Sequence, residues 1–403
     1  MSLQKAIDKT IGAALITILQ PLAARPSKRQ ITTIQERPRE ACFIKLWALG
    51  DSVVALPTIR AFKRKFPKTS VTVLARKRNR AVFEGQPFID HVVVAEPGNM
   101  LGILGLLHKF DVVFDLEPYL NISALLSWWI GRERVGFSGQ YRSRLYTHTV
   151  AFERGRHIVD TYALFVQPWD AQLKPERQEG LVPLRPTTQD ARMAGWFFQK
   201  QRKSSKGVRG GSIIGIAPII SEAVKSRAWP KEHYAMLVEA LAAQGNQVVF
   251  FGSKGERQEI EQIIRLIAPP HSRQTVNAAG MFSLLQTAAT IARCDCFISN
   301  DSGLMHIAAA MGTPTIGLFG PNTPAVWRPY GAGNVALYHK TWCSPCIDNV
   351  KGIFPKCFNP NFQECMKNID VQEVLNVTRG MLAHRKGRES GKQKGTGRGR
   401  GKR

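Results

Sequence analysis

No stretch of this sequence holds the about 18 consecutive apolar residues that a helix needs to span a bilayer, which argues against a membrane-spanning protein. Carboxylates are also scarce: 30 Asp and Glu stand against 56 Lys and Arg, which gives a formal net charge of +26. Seven cysteines are too unevenly spread for a secreted disulfide scaffold, so we expect a reducing cytosol.

The order of hydrophobic patterns along the chain indicates two α/β halves. Hydrophobic residues make up 44% of the sequence, enough for large cores, and a length of 403 residues suggests two domains. Strand-like segments alternate with helical patterns, which is typical of parallel sheets with crossover helices. We expect domains at 41–185 and 186–383, with strands at 41–49, 70–75, 91–95, 111–116, 212–218, 246–252, 295–300 and 313–320.

An amphipathic helix and a polar, basic linker are expected before the first domain, over residues 1–40. The apolar residues of this helix recur every three or four positions: Leu3, Ile7, Ile11, Leu15, Ile18 and Leu22. Two interpretations stay open, a helix docked on the protein's own fold and a helix lying in a membrane surface. A secretory signal fits least well, because Asp8 interrupts its basic region.

A basic tail is expected over residues 384–403. It holds nine Lys and Arg residues and one Glu among Gly and Ser, a composition that predicts disorder. The rest of the chain is also strongly basic, so we expect a partner surface rich in anionic groups: lipid headgroups, phosphorylated glycans or nucleic acid. A merely solubilising tail is the alternative.

The segment FISNDSGLMHIAAAMGTPTIGLFGPNTP (297–324) places Asn-Asp-Ser-Gly between an apolar strand and an Ala-rich helix. A helix that begins near Ser302 points its first N–H groups and its dipole at the strand end, where an anion binds favourably. Gly303 lets a phosphate approach the backbone, and His306 follows on the same helix face. The pattern indicates a phosphate site, and the alternative is an ordinary N-cap with a satisfied histidine.

A similar junction occurs in LWALGDSVVALP (46–57), where Gly50 and Asp51 follow a strand and enter a helix. Asp51 has two interpretations: a plain N-cap, or a general base at the carboxyl edge of the sheet. Neither half shows Gly-x-Gly-x-x-Gly after its first strand, which argues against a dinucleotide-dependent dehydrogenase.

The cysteines fall into two groups. Three lie in strand-like segments and are expected to be core residues: Cys42, Cys294 and Cys296. The other four have the spacing C-x2-C-x10-C-x7-C, of which only the first half matches zinc ligands. Reduced buried thiols are the favoured interpretation, with a structural zinc or a disulfide as alternatives, for Cys343, Cys346, Cys357 and Cys365.

Together, the two junctions resemble the bacterial heptosyltransferases of glycosyltransferase family 9, which build the lipopolysaccharide inner core from ADP-heptose. The resemblance extends from about residue 43 to residue 377. Further motifs occur in the family's order: RVGF (134–137), HIVDTYALF (157–165), KSRAWPKEHYAML (225–237) and WCSPC with a later CM (342–366). The Asn-Asp-Ser-Gly-x-x-His motif is specific, whereas Gly-Asp alone is a weak signal.

The resemblance implies a GT-B fold, with two Rossmann-like domains facing across a cleft. It also implies an inverting transfer that needs no metal and no other cofactor. By motif, Asp51 corresponds to the base that takes the acceptor's proton, and Lys45 to a lysine near the reacting centre.

The implied donor site lies in the second half. The leaving diphosphate gains negative charge, which a helix N-terminus and cationic side chains stabilise when no metal is present. Arg227 stands where the family usually has lysine, and its planar guanidinium differs from a point charge. The resemblance implies that Ser302, Gly303 and His306 bind the pyrophosphate and that Asp301 shapes the turn or contacts the sugar. It also implies that Arg227 and Lys225 supply positive charge, that Glu256 contacts the ribose, and that the base stacks near Phe282.

Two stretches depart from the family pattern. DLEPYLN (115–121) replaces the frequent Asp-x-Gln-Gly in the acceptor half, and GIAPII (215–220) lacks the usual Pro-Gly-Ala ending. The resemblance therefore implies a nucleotide-sugar donor and an anionic glycolipid acceptor, but it fixes neither the acceptor nor the exact sugar.

We expect a cytoplasmic glycosyltransferase, with peripheral contact to the cytoplasmic face of the inner membrane, that transfers heptose or a similar sugar. One alternative is a nucleic-acid or polyanion binder that uses the basic tail, although nucleic acid is not the expected partner. The other is a catalytically silent scaffold that binds a nucleotide sugar on the same fold, against which the presence of Asp51 argues.

Overall fold

All strand pairs in the two sheets of this computed structural model are parallel. The structure describes residues 3–22, 38–167, 169, 180–204, 211–220 and 222–396. Most of the predicted linker at 24–40 lies outside these residues, as does the end of the basic tail.

The first sheet has six strands in the order β3-β2-β1-β4-β5-β6. Its central strands β1 and β4 are covered on both faces, which explains their nearly continuous apolar sequence. The strands are β1 (Glu40–Lys45), β2 (Ser70–Ala75), β3 (His91–Val94), β4 (Phe110–Asp115), β5 (Gly131–Phe137) and β6 (His148–Val150).

The second sheet has six strands in the order β12-β11-β10-β7-β8-β9. Its strands β7, β8, β10 and β11 are buried along their whole length. The strands are β7 (Ile213–Ala217), β8 (Gln247–Phe250), β9 (Thr275–Asn277), β10 (Cys296–Asn300), β11 (Thr315–Phe319) and β12 (Val335–Tyr338).

The helices follow the strands, as the alternating pattern predicts. They are α1 (Leu3–Leu19), α2 (Leu49–Lys65), α3 (Arg80–Phe83), α4 (Met100–Leu104), α5 (Asn121–Ile130), α6 (Ile158–Ala163), α7 (Thr188–Ser204), α8 (Lys231–Ala243), α9 (Arg257–Arg265), α10 (Leu284–Ile291), α11 (Gly303–Ala310), α12 (Pro324–Trp327), α13 (Glu364–Lys367) and α14 (Val371–Thr396). Among the described residues, no helix combines the length and the apolar character that crossing a membrane requires.

Both sheets have the Rossmann strand order, counted from the first strand of each. In this order the chain reverses direction across the sheet after the third strand. The reversal leaves a crevice at the carboxyl ends of the first and fourth strands, where ligands of open α/β sheets bind. The crevices are expected beside β1 and β4 in the first sheet, and beside β7 and β10 in the second.

The chain divides into two compact units after Arg185. The first unit, however, also includes Ala325–Tyr330 and Cys346–Pro355, which a single boundary in the sequence does not anticipate. Helix α1 groups with the first unit rather than forming a separate region. Cys42, Cys294 and Cys296 are buried, as predicted, and burial raises the pKa of each thiol.

Helix α1 docks on α5 through the face that carries Asp8, Gly12 and Ile16. The Asp8 carboxylate accepts the backbone N–H groups of Asn121 (3.0 Å) and Ile122 (2.7 Å), which begin α5 and have no partner within that helix. A Cβ on Gly12 would lie only 2.6 Å from the Asn121 Cβ, and Ile16 is fully buried. Of the two interpretations left open by the sequence, these contacts support the helix docked on the protein's own fold.

The docked face is not the predicted one, however. The described members of the predicted apolar stripe point to solvent, with exposed fractions of 56% for Ile11, 42% for Leu15, 67% for Ile18 and 71% for Leu22. The docked face is instead the one that carries Gly12, which permits a close approach to Asn121, and Asp8, which caps α5. We call the four exposed residues the α1 stripe.

The predicted disorder from residue 384 is wrong as far as Thr396, because α14 continues to that residue. The Arg385 guanidinium donates to the Cys294 carbonyl (2.8 Å) and lies 3.4 Å from the Asp295 carboxylate. These contacts hold the beginning of the basic segment on the second unit. Amino-acid composition alone does not reveal such contacts.

His157 is expected to make the stability of the first unit depend on pH. Its buried ring accepts the Val159 N–H (3.2 Å) and donates through Nε2 to the Arg328 carbonyl (2.9 Å), and burial lowers its pKa to about 4. The unfolded chain, with a histidine pKa of about 6.5, therefore binds the proton more readily. The stabilisation is complete above about pH 6.5 and is lost as the pH falls toward about 4.

Urea unfolding of the parent and of His157→Gln between pH 7.5 and 4.5 measures this dependence. We expect the free energy of unfolding to fall less steeply with acidification in the variant. Equal pH dependence in the two proteins would show that His157 does not contribute to it.

Candidate functional site

A buried lysine lies between two carboxylates at the crevice of the first sheet. Lys45, the last residue of β1, is fully buried. Its ammonium lies 3.0 Å from the Glu117 carboxylate, which follows β4, and 3.7 Å from the Asp51 carboxylate on α2. The predicted pair Lys45 and Asp51 is therefore brought together. Asp51 is 20% exposed, so its carboxylate is accessible to a ligand.

Glu117 explains why the chain leaves β1 where it does. One Glu117 oxygen accepts the backbone N–H groups of Leu46 (2.6 Å) and Trp47 (2.7 Å), which a further stretch of strand would have used. Ala48 then adopts a positive φ of 60° and is the N-cap of α2. Asp51 is consequently the third residue of α2, and the interpretation of Asp51 as a plain N-cap is wrong.

A second buried ion pair lies close to this cluster. The Arg142 guanidinium is 3.2 Å from the Asp115 carboxylate and also donates to the Ser123 hydroxyl (2.9 Å). The Tyr146 hydroxyl donates to Asp115 (2.7 Å), and so does the Glu117 backbone N–H (3.0 Å). Burial raises the pKa of Asp115, while the Arg142 charge acts in the opposite direction. This network fixes the segment that carries Glu117.

A basic cleft of 320 Å³ opens at the same edge of the first sheet, lined by Trp47, Arg76, Lys77, Arg78 and Glu96. The Arg78 guanidinium lies 4.1 Å from the centre of the Trp47 ring, and burial lowers the pKa of Arg78. Arg76 is paired with Glu96 (2.7 Å). The cleft therefore presents a positive charge and an aromatic face to a ligand. The run RKRNR directly after a predicted strand was the available signal for it.

The crevice of the second sheet is organised by Asn300, the last residue of β10. Its side chain donates to the Pro218 carbonyl (2.6 Å), which follows β7, and accepts the Trp229 N–H (3.2 Å). One amide thus joins the two strand ends to the Trp-Pro segment. The Asn of the Asn-Asp-Ser-Gly motif is structural, a role that the sequence did not assign.

Asp301 and Arg227 are brought together at this crevice. The Arg227 guanidinium lies 3.1 Å from the Asp301 carboxylate, which also accepts the Asn322 side-chain amide (2.7 Å). Arg227 is largely buried, and among the described residues its buried Nε–H has no hydrogen-bond partner. A cation with an available donor can bind an anionic ligand here.

Helix α11 begins after Ser302, as predicted. Ser302 is the N-cap residue but makes no side-chain capping bond, because its hydroxyl lies 2.9 Å from the Ser299 hydroxyl instead. Gly303 is the first helical residue, and His306 lies one turn later, buried. The first turn of α11 therefore directs its backbone N–H groups toward the crevice.

The remaining predicted donor residues follow neighbouring strands of the same sheet. Glu256, after β8, accepts the Ser253 N–H (2.6 Å) in a capping box, so part of its carboxylate is already used. Phe282, after β9, packs edge-on against Phe197 with ring centres 5.2 Å apart. Lys225, after β7, has an exposed side chain.

The late cysteines are free thiols. Cys365 is buried, but the other three are half-buried, so the predicted burial is right for one residue only. No group of three or more His, Cys, Asp and Glu side chains among the described residues is arranged to hold a metal ion. The zinc alternative therefore has no support, and the disulfide alternative is wrong for this structure.

Comparison with known proteins gives consistent matches. Residues 105–354 match the family model described as glycosyltransferase family 9 (heptosyltransferase). Lipopolysaccharide heptosyltransferase 2 of Salmonella typhimurium is 38% identical over 356 residues, which cover 83% of this chain and 96% of that protein. Lipopolysaccharide core heptosyltransferase OpsX of Haemophilus influenzae is 28% identical over 305 residues, 73% of this chain and 83% of that protein.

The fold is also that of solved structures. The structure of ADP-heptose lps heptosyltransferase II from E. coli matches with a TM-score of 0.67 and 22% identity, covering 86% of this chain and 99% of that one. A glycosyl transferase family 9 protein from Veillonella parvula matches with a TM-score of 0.69 and 22% identity, covering 86% and 97%. The predicted GT-B fold, with two Rossmann-like units, is confirmed.

Proposed function

Because this chain belongs to glycosyltransferase family 9, we propose that it transfers a heptose or similar sugar from an ADP-sugar to a lipopolysaccharide-core-type glycolipid, with inversion and without a metal. The observation that carries the proposal is the accessible Asp51 carboxylate, held 3.7 Å from the buried Lys45 ammonium at a Rossmann crevice. Crevices of this kind are where α/β folds bind ligands.

In this proposal Asp51 is the general base. Its carboxylate takes the proton of the acceptor hydroxyl, and the freed lone pair of that oxygen forms the new glycosidic bond. The bond between the anomeric carbon and the diphosphate oxygen breaks, and its electrons leave with ADP. Lys45, which is 3.0 Å from Glu117 and 3.7 Å from Asp51, keeps the Asp51 carboxylate in place before the transfer.

The second unit holds the donor and stabilises the leaving diphosphate. The N-terminus of α11, at Ser302 and Gly303, provides backbone N–H groups and the positive end of a helix dipole. Arg227 supplies a cation whose position is set by Asp301 (3.1 Å). His306 on the same helix, with Lys225, Glu256 and Phe282 at the same sheet edge, completes the proposed donor set.

The acceptor is proposed to be anionic. The basic cleft lined by Trp47, Arg76, Lys77, Arg78 and Glu96 lies at the sheet edge that also carries Lys45. A guanidinium on an aromatic face suits a sugar that carries a carboxylate or a phosphate. Because the proposed acceptor is a lipid-linked glycan of the lipopolysaccharide core, we propose that the reaction takes place at the cytoplasmic face of the inner membrane.

Calorimetric titration with ADP, UDP and GDP tests the donor assignment. At moderate salt, so that the net charge does not dominate, we expect the parent to bind ADP in preference to the other two. Arg227→Ala is expected to weaken ADP binding by about tenfold or more, since a charge-assisted hydrogen bond contributes about 1.5–3 kcal/mol. Arg227→Lys should recover part of the affinity.

Arg265→Ala, which removes an exposed arginine at the end of α9, is the matched control and should bind ADP like the parent. A preference for UDP or GDP would keep the glycosyltransferase but reject the ADP-sugar. Absence of nucleotide binding would overturn the proposal and favour the polyanion-binding alternative.

A further inference from the structure

We propose that the α1 stripe is a docking surface for a membrane that contains anionic lipids. The α1 stripe consists of Ile11, Leu15, Ile18 and Leu22, all at least 42% exposed. The inference uses the fold and charge of the first unit and does not depend on the transferase reaction.

The α1 stripe is held in a fixed orientation, which distinguishes it from a loose hydrophobic segment. Asp8 caps α5 with two hydrogen bonds, Gly12 lies against Asn121, and Ile16 is fully buried. With one face anchored in this way, the helix presents four large apolar side chains outward at intervals of three and four residues. Monomeric proteins rarely expose such contiguous apolar rows without a partner.

A second exposed apolar group packs against the other end of α5. Leu101 and Leu104 on α4, with Leu107 just after it, are 86%, 47% and 51% exposed. This segment is held on α5 by hydrogen bonds from the Trp129 indole to the Leu104 carbonyl (3.4 Å) and from the His108 N–H to the Trp129 carbonyl (3.0 Å). Helix α5 thus carries an exposed apolar element at each end.

Carboxylates are nearly absent from these elements. Residues 3–22, 100–109 and 121–130 contain one acidic residue, Asp8, and it is engaged at the start of α5. Nearby exposed cations are Arg144, which bonds Gln20 (3.0 Å) and stacks on Tyr141, and Lys109 beside Phe110. A binding partner of the α1 stripe must therefore have both apolar and anionic groups.

A bilayer with anionic headgroups has this combination. A helix of 17 residues with one buried face cannot span a bilayer, but it can lie in the headgroup region with its apolar side chains inserted. Basic residues at the rim add electrostatic attraction of about 1 kcal/mol each near an anionic surface. A second copy of this chain fits poorly, because each copy carries a formal net charge of +26 and the two copies would repel each other.

Co-sedimentation of the full chain with vesicles tests the proposal. Vesicles of phosphatidylglycerol and phosphatidylethanolamine are compared with vesicles of phosphatidylcholine alone. The test variant Ile11→Gln, Leu15→Gln, Ile18→Gln removes apolar surface without adding charge and keeps good helix formers. The matched control carries three similar changes at exposed positions of the second unit: Met193→Gln, Met236→Gln and Leu266→Gln.

We expect the parent and the control to bind the anionic vesicles, and the test variant to partition at least about tenfold more weakly. Both variants should keep the melting temperature of the parent, since no buried side chain changes. Equal binding of the test variant would overturn the proposal and point to the basic tail, which all three proteins share. Failure of the parent to bind anionic vesicles, or loss of a dimer in the test variant with unchanged vesicle binding, would also overturn it.

Discussion

Replacement of Asp51 with asparagine is expected to lower kcat by about 10²- to 10⁴-fold, the range that general-base catalysis contributes. Asparagine has nearly the same shape but cannot take the acceptor proton. Lys45 keeps its ion pair with Glu117 (3.0 Å) in the variant, so the first unit should remain folded. ADP binding should be unchanged, because the proposed donor residues belong to the second unit. Release of ADP from ADP-heptose in the presence of a lipopolysaccharide-core acceptor measures the rate.

The matched control is Glu153→Gln, which removes an exposed carboxylate of the same unit. It should retain the parent's rate. An Asp51→Asn variant with the parent's kcat would remove Asp51 from the role of base. A parent that binds ADP but shows no turnover would instead favour the silent scaffold.

Replacement of Arg142 with methionine is expected to lower the free energy of unfolding of the first unit by about 3–5 kcal/mol, because it leaves the buried Asp115 carboxylate without its cation. The hydrogen bonds to Asp115 from Tyr146 and from the Glu117 backbone remain. Without Arg142, the pKa of Asp115 should rise further above its unfolded value. The carboxyl then favours the folded state when protonated, so the destabilisation should be smaller at pH 5 than at pH 8.

Denaturant unfolding followed by far-UV circular dichroism checks the size of this effect. The double variant Asp115→Asn, Arg142→Met should lose less stability than the sum of the two single variants, since each single change leaves one unpaired buried charge. Additive losses would show that the two side chains do not stabilise each other.

The architecture could be predicted because parallel strands buried on both faces have a distinctive sequence. Segments such as β7 and β10 are buried along their whole length and mostly apolar, and the helical patterns between such segments indicate an α/β fold with parallel sheets. Strand order and the exchange of segments between units depend on contacts between residues 71 to 194 positions apart, which no local pattern encodes. The overlong prediction for β1 has such a cause: the carboxylate that ends the strand is Glu117, 71 residues away.

The sequence predicts those residues of the candidate site that lie at the junction between a strand and the following helix. Asp51 and the Asp-Ser-Gly segment lie at the carboxyl ends of strands, where a sequence alone places them. Glu117, Asn300 and Arg78 were not assigned, because their roles arise from side chains that meet only after folding. The docked face of α1 was also missed, since periodicity ranks apolar residues and gives no weight to a capping aspartate or a small glycine.

The two late segments of the first unit have a consequence for biosynthesis. His157 bonds a carbonyl 171 residues later, and Arg154 pairs with a carboxylate 194 residues later. A ribosome therefore releases the whole first sheet long before it makes the residues that complete that unit. Domains usually fold in turn as they emerge, but part of the surface of the first unit stays uncovered until Ala325–Tyr330 and Cys346–Pro355 have been translated. We therefore expect a nascent chain arrested before residue 325 to bind chaperones more strongly than the complete chain.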